Sequence, residues 1–275
     1  MKPYLKSKDY FYTKEEFDVL FDPTTEMLVT SPIPENLASY YQSVNYISHS
    51  DQSQSLIDKL YILIKNYSIK RKVNLLTSLL PTKGSLLDIG AGTADFLVAA
   101  QKDNWDITGV EPNPLARTNA TVKGISLYEN LSAVPNPSYD IITLWHVLEH
   151  LPNINNQLTH ITSLLKKGGF LIVAAPNYKS YDAHYYKGYW AAFDVPRHLW
   201  HFCKESIVKL LIPHGLELAQ TKPMLFDAFY ISLLSEKYKH GKNKYISALF
   251  RGFVSNMKGL ASKEYSSHIY ILKKQ

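Results

Sequence analysis

"SLLDIGAGTADFLVAAQKDN", Ser85 to Asn104, decides how the rest of this chain is read. A short apolar run from Ser85 stops at Gly90, as a buried parallel strand does. Gly90 and Gly92 then permit a tight turn, and Ala94 to Asn104 continues as a helix that ends at Asn. Outward from this unit the pattern recurs. "DITGVEP" (Asp106 to Pro112) reads as a second strand, with a helix from Pro114, where proline suits a first turn. A third strand is expected near Ile125 to Tyr128 and a fourth at "YDIITLW" (Tyr139 to Trp145). A helix over Asn153 to Leu165 leads to a fifth strand in "GGFLIVAAPN" (Gly168 to Asn177). A helix at Lys204 to His214, closed by Gly215, precedes strands near Leu216 to Met224 and Ser267 to Lys273. Upstream, apolar residues from Leu56 to Leu79 recur at near-helical spacing. This alternation predicts an α/β three-layer fold with a mostly parallel sheet and right-handed crossovers.

Composition narrows the class. With 275 residues, 45% of them hydrophobic, the chain can bury a substantial core. Its single cysteine, Cys203, excludes an internal disulfide and a multi-cysteine zinc site. That residue, and the lack of a signal-like segment, lead us to expect a reducing cytoplasm. No apolar run approaches the roughly 20 residues that cross a bilayer. The net charge of +6 is C-terminal: residues 1–235 hold 21 Lys and Arg against 22 Asp and Glu, residues 236–275 hold 9 against 2. Such a patch can meet phosphates or an anionic surface, although a solvated face explains it equally, and nucleic acid is not an expected partner.

In a doubly wound sheet a ligand sits beyond the C-terminal strand ends, where a glycine turn lets backbone approach it. Gly90, Ala91 and Gly92 form that turn. Glu111, 19 residues after Gly92 and at the second strand's end, is placed to accept ribose hydroxyls. A dinucleotide fingerprint would put glycine or alanine where Asp95 stands, because pyrophosphate lies on that helix start. S-adenosylmethionine instead brings a sulfonium and an α-amino group, for which Asp88 and Asp95 are favourable partners. Separately, Asp88 also reads as a loop cap and Asp95 as a first-turn acid that suits the helix dipole.

"LLDIGAGTADF", "GVEPNP" and "YDIITLWHVLEHL" resemble the successive motifs of class I S-adenosylmethionine-dependent methyltransferases, closest to the type 23, ubiquinone-biosynthesis-like group. The resemblance implies a Rossmann-like methyltransferase fold with a seven-stranded, mostly parallel sheet whose last strand is antiparallel. It implies four segments: a leader or lid over 1–53, a cofactor-binding core over 54–224, a helical insertion over 225–266, and the last core strand over 267–275. It assigns Asp88, Gly90, Ala91, Gly92, Asp95 and Phe96 to the methionine side of the cofactor, and Glu111 with Pro112 to the ribose. Tyr128 and Glu129 then flank the adenine, Trp145 and His146 close over the methionine part, and Tyr46, with His49, contacts the cofactor from the lid. Relatives carry cysteine pairs upstream of that lid; residues 17–35 here have none.

His146-Val-Leu-Glu149-His150 also matches H-x-x-E-H, a zinc-peptidase pattern. That chemistry needs both histidines on one helix face, but a strand runs straight into His146 and Pro152 follows. No metal is therefore expected, and the pair is read as shaping a turn beside the cofactor.

The acceptor is sought in Tyr178 to Phe202, where nine of 25 residues are aromatic against 13% for the chain. Long loops at this sheet edge are usually functional, and aromatic surface suits a ring or sugar face. "WAAFDVPRHLWHF" adds Asp194, Arg197, His198 and His201, which lie near the active site in the resembling family. His198 or His201 suits a general base for a hydroxyl acceptor, and Arg197 a clamp on an acidic one. A structural Asp194–Arg197 pair with packed histidines is the alternative. Leu225 to Ser266 reads as two amphipathic helices that dimerise, lid the pocket, rest on an anionic membrane or simply pack. The expectation is an S-adenosylmethionine-dependent methyltransferase of a small-molecule acceptor, a sugar, quinone-like ring or other metabolite, by O-methylation. The competing readings are an NAD-dependent oxidoreductase and a non-catalytic cofactor- or nucleic-acid-binding protein.

Overall fold

The computed structural model describes residues 1–41, 56–135 and 138–275. The chain divides into two compact units, Met1–Ser43, His146–Leu158 and Val173–Ile271 in one, and Val44–Trp145, Thr159–Ile172 and Leu272–Gln275 in the other. The strands are β1 (Lys2–Lys8), β2 (Glu16–Phe21), β3 (Leu28–Ser31), β4 (Ser85–Ile89), β5 (Asp106–Val110), β6 (Tyr139–Trp145), β7 (Leu165–Pro176), β8 (Trp200–His201), β9 (Leu216–Pro223) and β10 (Ser267–Lys274). The helices are α1 (Leu56–Leu79), α2 (Asp95–Lys102), α3 (Pro114–Val122), α4 (Ile154–Ser163), α5 (Tyr181–Tyr186), α6 (Lys204–Leu211), α7 (Asp227–His240) and α8 (Tyr245–Ser262).

The larger sheet runs in the order β5-β4-β6-β7-β10-β9. β4 is parallel to both β5 and β6, with Asp88 level with Gly109 on one side and Thr143 on the other. β4 is flanked on both sides, and Leu86 and Leu87 are fully buried, which is why its sequence is a continuous apolar run. α3 begins where expected: Asn113 caps it by accepting the N–H groups of Leu115 (2.9 Å) and Ala116 (3.1 Å), and Pro114 takes the first turn. α6 runs into a 3-10 turn closed by Gly215 at φ 75°. Two expectations change. The sheet has six strands among the described residues, because Ile125 to Tyr128 contributes a lone bridge between Val110 and Tyr128 instead of a strand.

The other change concerns the first 41 residues, part of the segment expected to be a leader or lid, for which no strand was foreseen. They form β1, β2 and β3, joined by β8 into an antiparallel sheet of order β1-β2-β3-β8. The signal was period-two burial, Phe17 and Val19 inward with Asp18 and Glu16 outward. A turn follows in which Asp22 accepts from the Thr24 N–H (2.9 Å) and the Thr25 hydroxyl (2.7 Å).

This sheet needs a core, and the aromatic stretch supplies it. Phe17, Val19 and Leu28 pack with Tyr178, Tyr186, Trp190 and Phe193. Tyr186, Trp190, Phe193 and Phe202 are 2% exposed or less. The aromatic density expected to form an acceptor surface is therefore mostly interior. Each such ring buries roughly 150–250 Å², which suits a small sheet with few residues to bury.

Candidate functional site

The glycine turn is built by backbone. Gly90 and Ala91 both donate N–H groups to the Val110 carbonyl, at 2.8 and 3.0 Å. Gly90 and Gly92 have φ of 75° and 55°, which glycine adopts without strain. Glu111 then joins two loops: one oxygen accepts the Gly92 N–H and the other the Asn113 N–H, both at 2.8 Å. Each oxygen retains lone-pair capacity for a further donor. Arg117, not singled out in the sequence, donates to the carbonyls of Glu111 (2.8 Å) and Pro112 (2.7 Å) and lies 3.8 Å from the Glu129 carboxylate. Its only signal was its position one turn into α3. Tyr128 is 37% exposed and its carbonyl accepts the Glu111 N–H at 2.9 Å.

Asp88 is 2% exposed. Burial pushes its carboxyl up to about 7, against the Thr143 hydroxyl that donates to it at 2.6 Å and the nearby positive charge of Lys72. Phe96 and Trp145 stand edge to face with centroids 5.6 Å apart, and the Lys72 ammonium lies 4.3 Å from the Trp145 ring centroid. Among the described residues the buried Trp145 indole N–H has no hydrogen-bond partner. Asp95 is placed differently from the expectation of a cation-binding acid open to ligand. Lys123 (2.6 Å) and Lys65 (2.9 Å) hold it, with the Thr93 hydroxyl at 2.9 Å. Burial raises its carboxyl, and these three hydrogen bonds overcome that and bring it below the usual carboxylate range. Its charge is already met by protein lysines. Tyr46 and His49 lie outside the described residues.

In the unit containing residues 146–158 and 173–271, the H-x-x-E-H stretch forms no helix that spans it: Leu148–His150 is a 3-10 turn. His146, at φ 57°, points one ring nitrogen at Asp227 (3.1 Å) and the other at Glu149 (3.4 Å). Burial lowers its pKa, but donation to the Asp227 carboxylate, the weaker contact with Glu149 and the charges of both prevail and raise it to about 10. Glu149 is 1% exposed; burial raises it, and His146 together with the charges of His198 and His150 bring it down to about 2. Among the described residues neither of its oxygens has a hydrogen bond of good geometry, the His146 contact at 3.4 Å being an ion pair. Donor atoms of Glu149, His150 and His198 lie within 4.8 Å of one another, a set able to hold a cation.

The four acceptor-side residues separate into two roles. His198 and His150 meet edge to face at 4.5 Å. Nδ1 of His198 sits 2.8 Å from the Ala192 carbonyl and so carries the proton, which leaves Nε2 as the basic atom. His201 is oppositely arranged. The Thr30 hydroxyl donates to the His198 carbonyl at 2.6 Å and therefore accepts from His201 Nε2 at 3.0 Å. Burial and the neighbouring His198 push His201 down to about 3. It is a packed neutral ring, not a base poised near neutrality.

Arg197 corrects the expectation of an acceptor clamp. It is 1% exposed, its Nε and Nη2 engage the two oxygens of Asp194 at 3.0 and 2.6 Å, and Nη2 also reaches Asp9 at 2.9 Å. Nη1 donates to the Tyr40 carbonyl at 3.3 Å. Its fork is filled from within the protein, and Asp194 is its partner.

A glycine turn at the end of an interior parallel strand, with an acid closing the next strand, is the arrangement of a Rossmann-like nucleotide-binding fold. The profile of a family described as a methyltransferase domain matches residues 61–221, and the chain belongs to that family. Over 102 residues, 34% of the chain, it is 29% identical to the ubiquinone biosynthesis O-methyltransferase of Aeromonas salmonicida (strain A449), covering 43% of that relative. Over 94 residues, 32% of the chain, it is 34% identical to the methyltransferase str3 of Strobilurus tenacellus, covering 34% of it. The matched part thus spans less than half the length of these curated relatives. The magnesium protoporphyrin IX methyltransferase of Synechocystis PCC 6803, solved with bound SAM, superposes with a TM-score of 0.54 at 14% identity over 86% of this chain and 94% of that one, a likeness of fold.

Proposed function

We propose that this protein transfers the methyl group of S-adenosylmethionine to a hydroxyl oxygen of a small-molecule acceptor. The observation that carries the reading is Glu111, held rigidly by two backbone N–H groups with acceptor capacity remaining, 9% exposed at the strand end where a ribose would lie. Asp88 supplies a carboxylate for the α-ammonium group, and Phe96 and Trp145 wall the methionine side. Ala91 and Pro112 line the turn, and Tyr128 and Glu129 flank the adenine. The bound sulfonium supplies an electrophilic methyl. An acceptor hydroxyl held in line with it would take that methyl with loss of a thioether, and the part left to the protein is to align the hydroxyl and receive its proton. Nε2 of His198, whose Nδ1 is held by the Ala192 carbonyl, is assigned as the base. The single cysteine supports work in a reducing cytoplasm.

The test is calorimetric titration with S-adenosylmethionine, followed by transfer of labelled methyl to quinol, catechol and sugar acceptors. Binding by wild type that Glu111→Ala abolishes supports the site. If NADH raises the melting temperature and S-adenosylmethionine does not, the reading fails.

A further inference from the structure

From Lys237 to Lys263 the chain has seven Lys and Arg and no Asp or Glu. This run ends α7 and contains α8. The buried positions of α8 are small, Ala248, Gly252, Ser255 and Gly259. A methyl group at Gly252 would come within 2.6 Å of the Phe229 ring, and one at Gly259 within 2.7 Å of the Tyr265 ring. The inward side is thus filled by neighbouring aromatics, and the large apolar residues of α8 lie on the outside. Ile246 is 86% exposed, Leu249 60%, Phe250 58%, Phe253 56%, Met257 50% and Leu260 53%. Their steps of three and four residues draw one stripe, roughly 21 Å long at 1.5 Å per residue. An ordinary surface helix turns its large apolar residues in and its small or polar ones out; α8 does the reverse.

Charge decides what covers the stripe. Lys237, Lys239 and Lys242 are exposed at the end of α7 and in the link to α8, and Lys258 and Lys263 on and just after α8, with no acidic residue between Lys237 and Lys263. A second copy of the chain would bring like charges together, which is unfavourable. An anionic lipid surface satisfies both features, since apolar side chains enter the headgroup boundary while lysines meet phosphates. No helix among the described residues is long and apolar enough to cross a membrane, so any such contact is peripheral.

We infer that the exposed apolar face of α8 docks the protein on an anionic lipid bilayer, with the helix lying in the plane of the surface. This holds whatever acceptor the proposed methyl transfer uses, and its test does not read activity. The full chain is floated with vesicles of phosphatidylcholine alone and of phosphatidylcholine with phosphatidylglycerol. Wild type should float with the anionic vesicles only, and release as salt rises. Leu249→Asp with Phe253→Asp should lower partitioning at least tenfold, and Lys242→Glu with Lys244→Glu should weaken it by about fivefold per lost cation. Circular dichroism checks that each variant is folded, and Ile246→Asn with Leu249→Asn is the milder substitute if the first pair is not. Wild type that stays with the soluble fraction overturns the inference, as does equal flotation of folded stripe variants. A lipid-free dimer that the same substitutions dissolve, without vesicle binding, overturns it in favour of a second copy.

Discussion

One carboxylate oxygen of Glu111 accepts the backbone N–H of Gly92 at 2.8 Å, across 19 residues of chain. Charge-assisted bonds of this kind contribute about 1.5–3 kcal/mol. Glu111→Gln keeps the shape and loses one acceptor and the charge. It should weaken S-adenosylmethionine binding roughly 10- to 100-fold by calorimetry and lower the melting temperature, because the turn loses an anchor. Unchanged affinity with a lowered melting temperature would reduce Glu111 to a loop staple.

Through Asp88, binding of S-adenosylmethionine should depend on pH. With burial holding its carboxyl up at about 7, the free protein is protonated there below that value, whereas an α-ammonium partner requires the ionised form. Affinity should therefore rise about tenfold per unit as pH climbs toward 7 and level off above it. Calorimetry in two buffers of different ionisation enthalpy should register proton release below pH 7. Asp88→Asn should flatten the profile; an unaltered slope in that variant would assign the proton elsewhere.

Arg197 should be measured as a stability residue. Asp9, fully buried, also accepts the N–H groups of Phe11, Tyr12 and Thr13, but Arg197 is its charge partner. Arg197→Met strands that carboxylate, at a cost of about 3–5 kcal/mol in urea unfolding. A variant of full stability and impaired KM would restore the acceptor-clamp role.

The histidines shape the pH dependence of folding. In the unfolded chain each titrates near 6.5. His150, through burial and the charge of His198, sits at about 4 and His201 at about 3, so between there and 6.5 the unfolded state binds more protons and stability falls on acidification. Asp88 offsets part of this, since it holds an extra native proton from about 4 to 7. His146, raised to about 10, works in the other direction: its contribution is complete below 6.5 and lost as pH rises through 10. Urea midpoints should therefore fall on both sides of about pH 6.5. His146→Gln should flatten the alkaline limb, and change the acid limb only where Glu149, which His146 helps hold at about 2, titrates.

The cofactor half of the fold was legible because local signals agree there. Ser85 to Ile89 has one period, the glycines have one use, and Asn113 with Pro114 starts a helix unaided. The acceptor half was not, because its structure depends on pairing distant in sequence. β3 meets β8 across more than 170 residues, with Leu28 opposite His201 and Val29 opposite Trp200. Nothing local in Phe17 or Trp190 announces a shared core. Asp95 was misjudged for a related reason: Lys65 and Lys123 flank it in space and not in sequence. Arg197 was legible as half of a pair with Asp194, three residues away, and illegible in its reach to Asp9.

The pairing of Leu28 with His201 also sets an order of events on the ribosome. The small sheet cannot close until residue 201 has left the exit tunnel, long after residue 28. At about 5–20 residues per second, β1 to β3 wait on the order of 10–30 s without their final neighbour. During that interval the outer edge of β3 is bare, and a chaperone or a neighbouring nascent chain can occupy it. Truncated translation products ending before Trp200 should accordingly be the aggregation-prone ones.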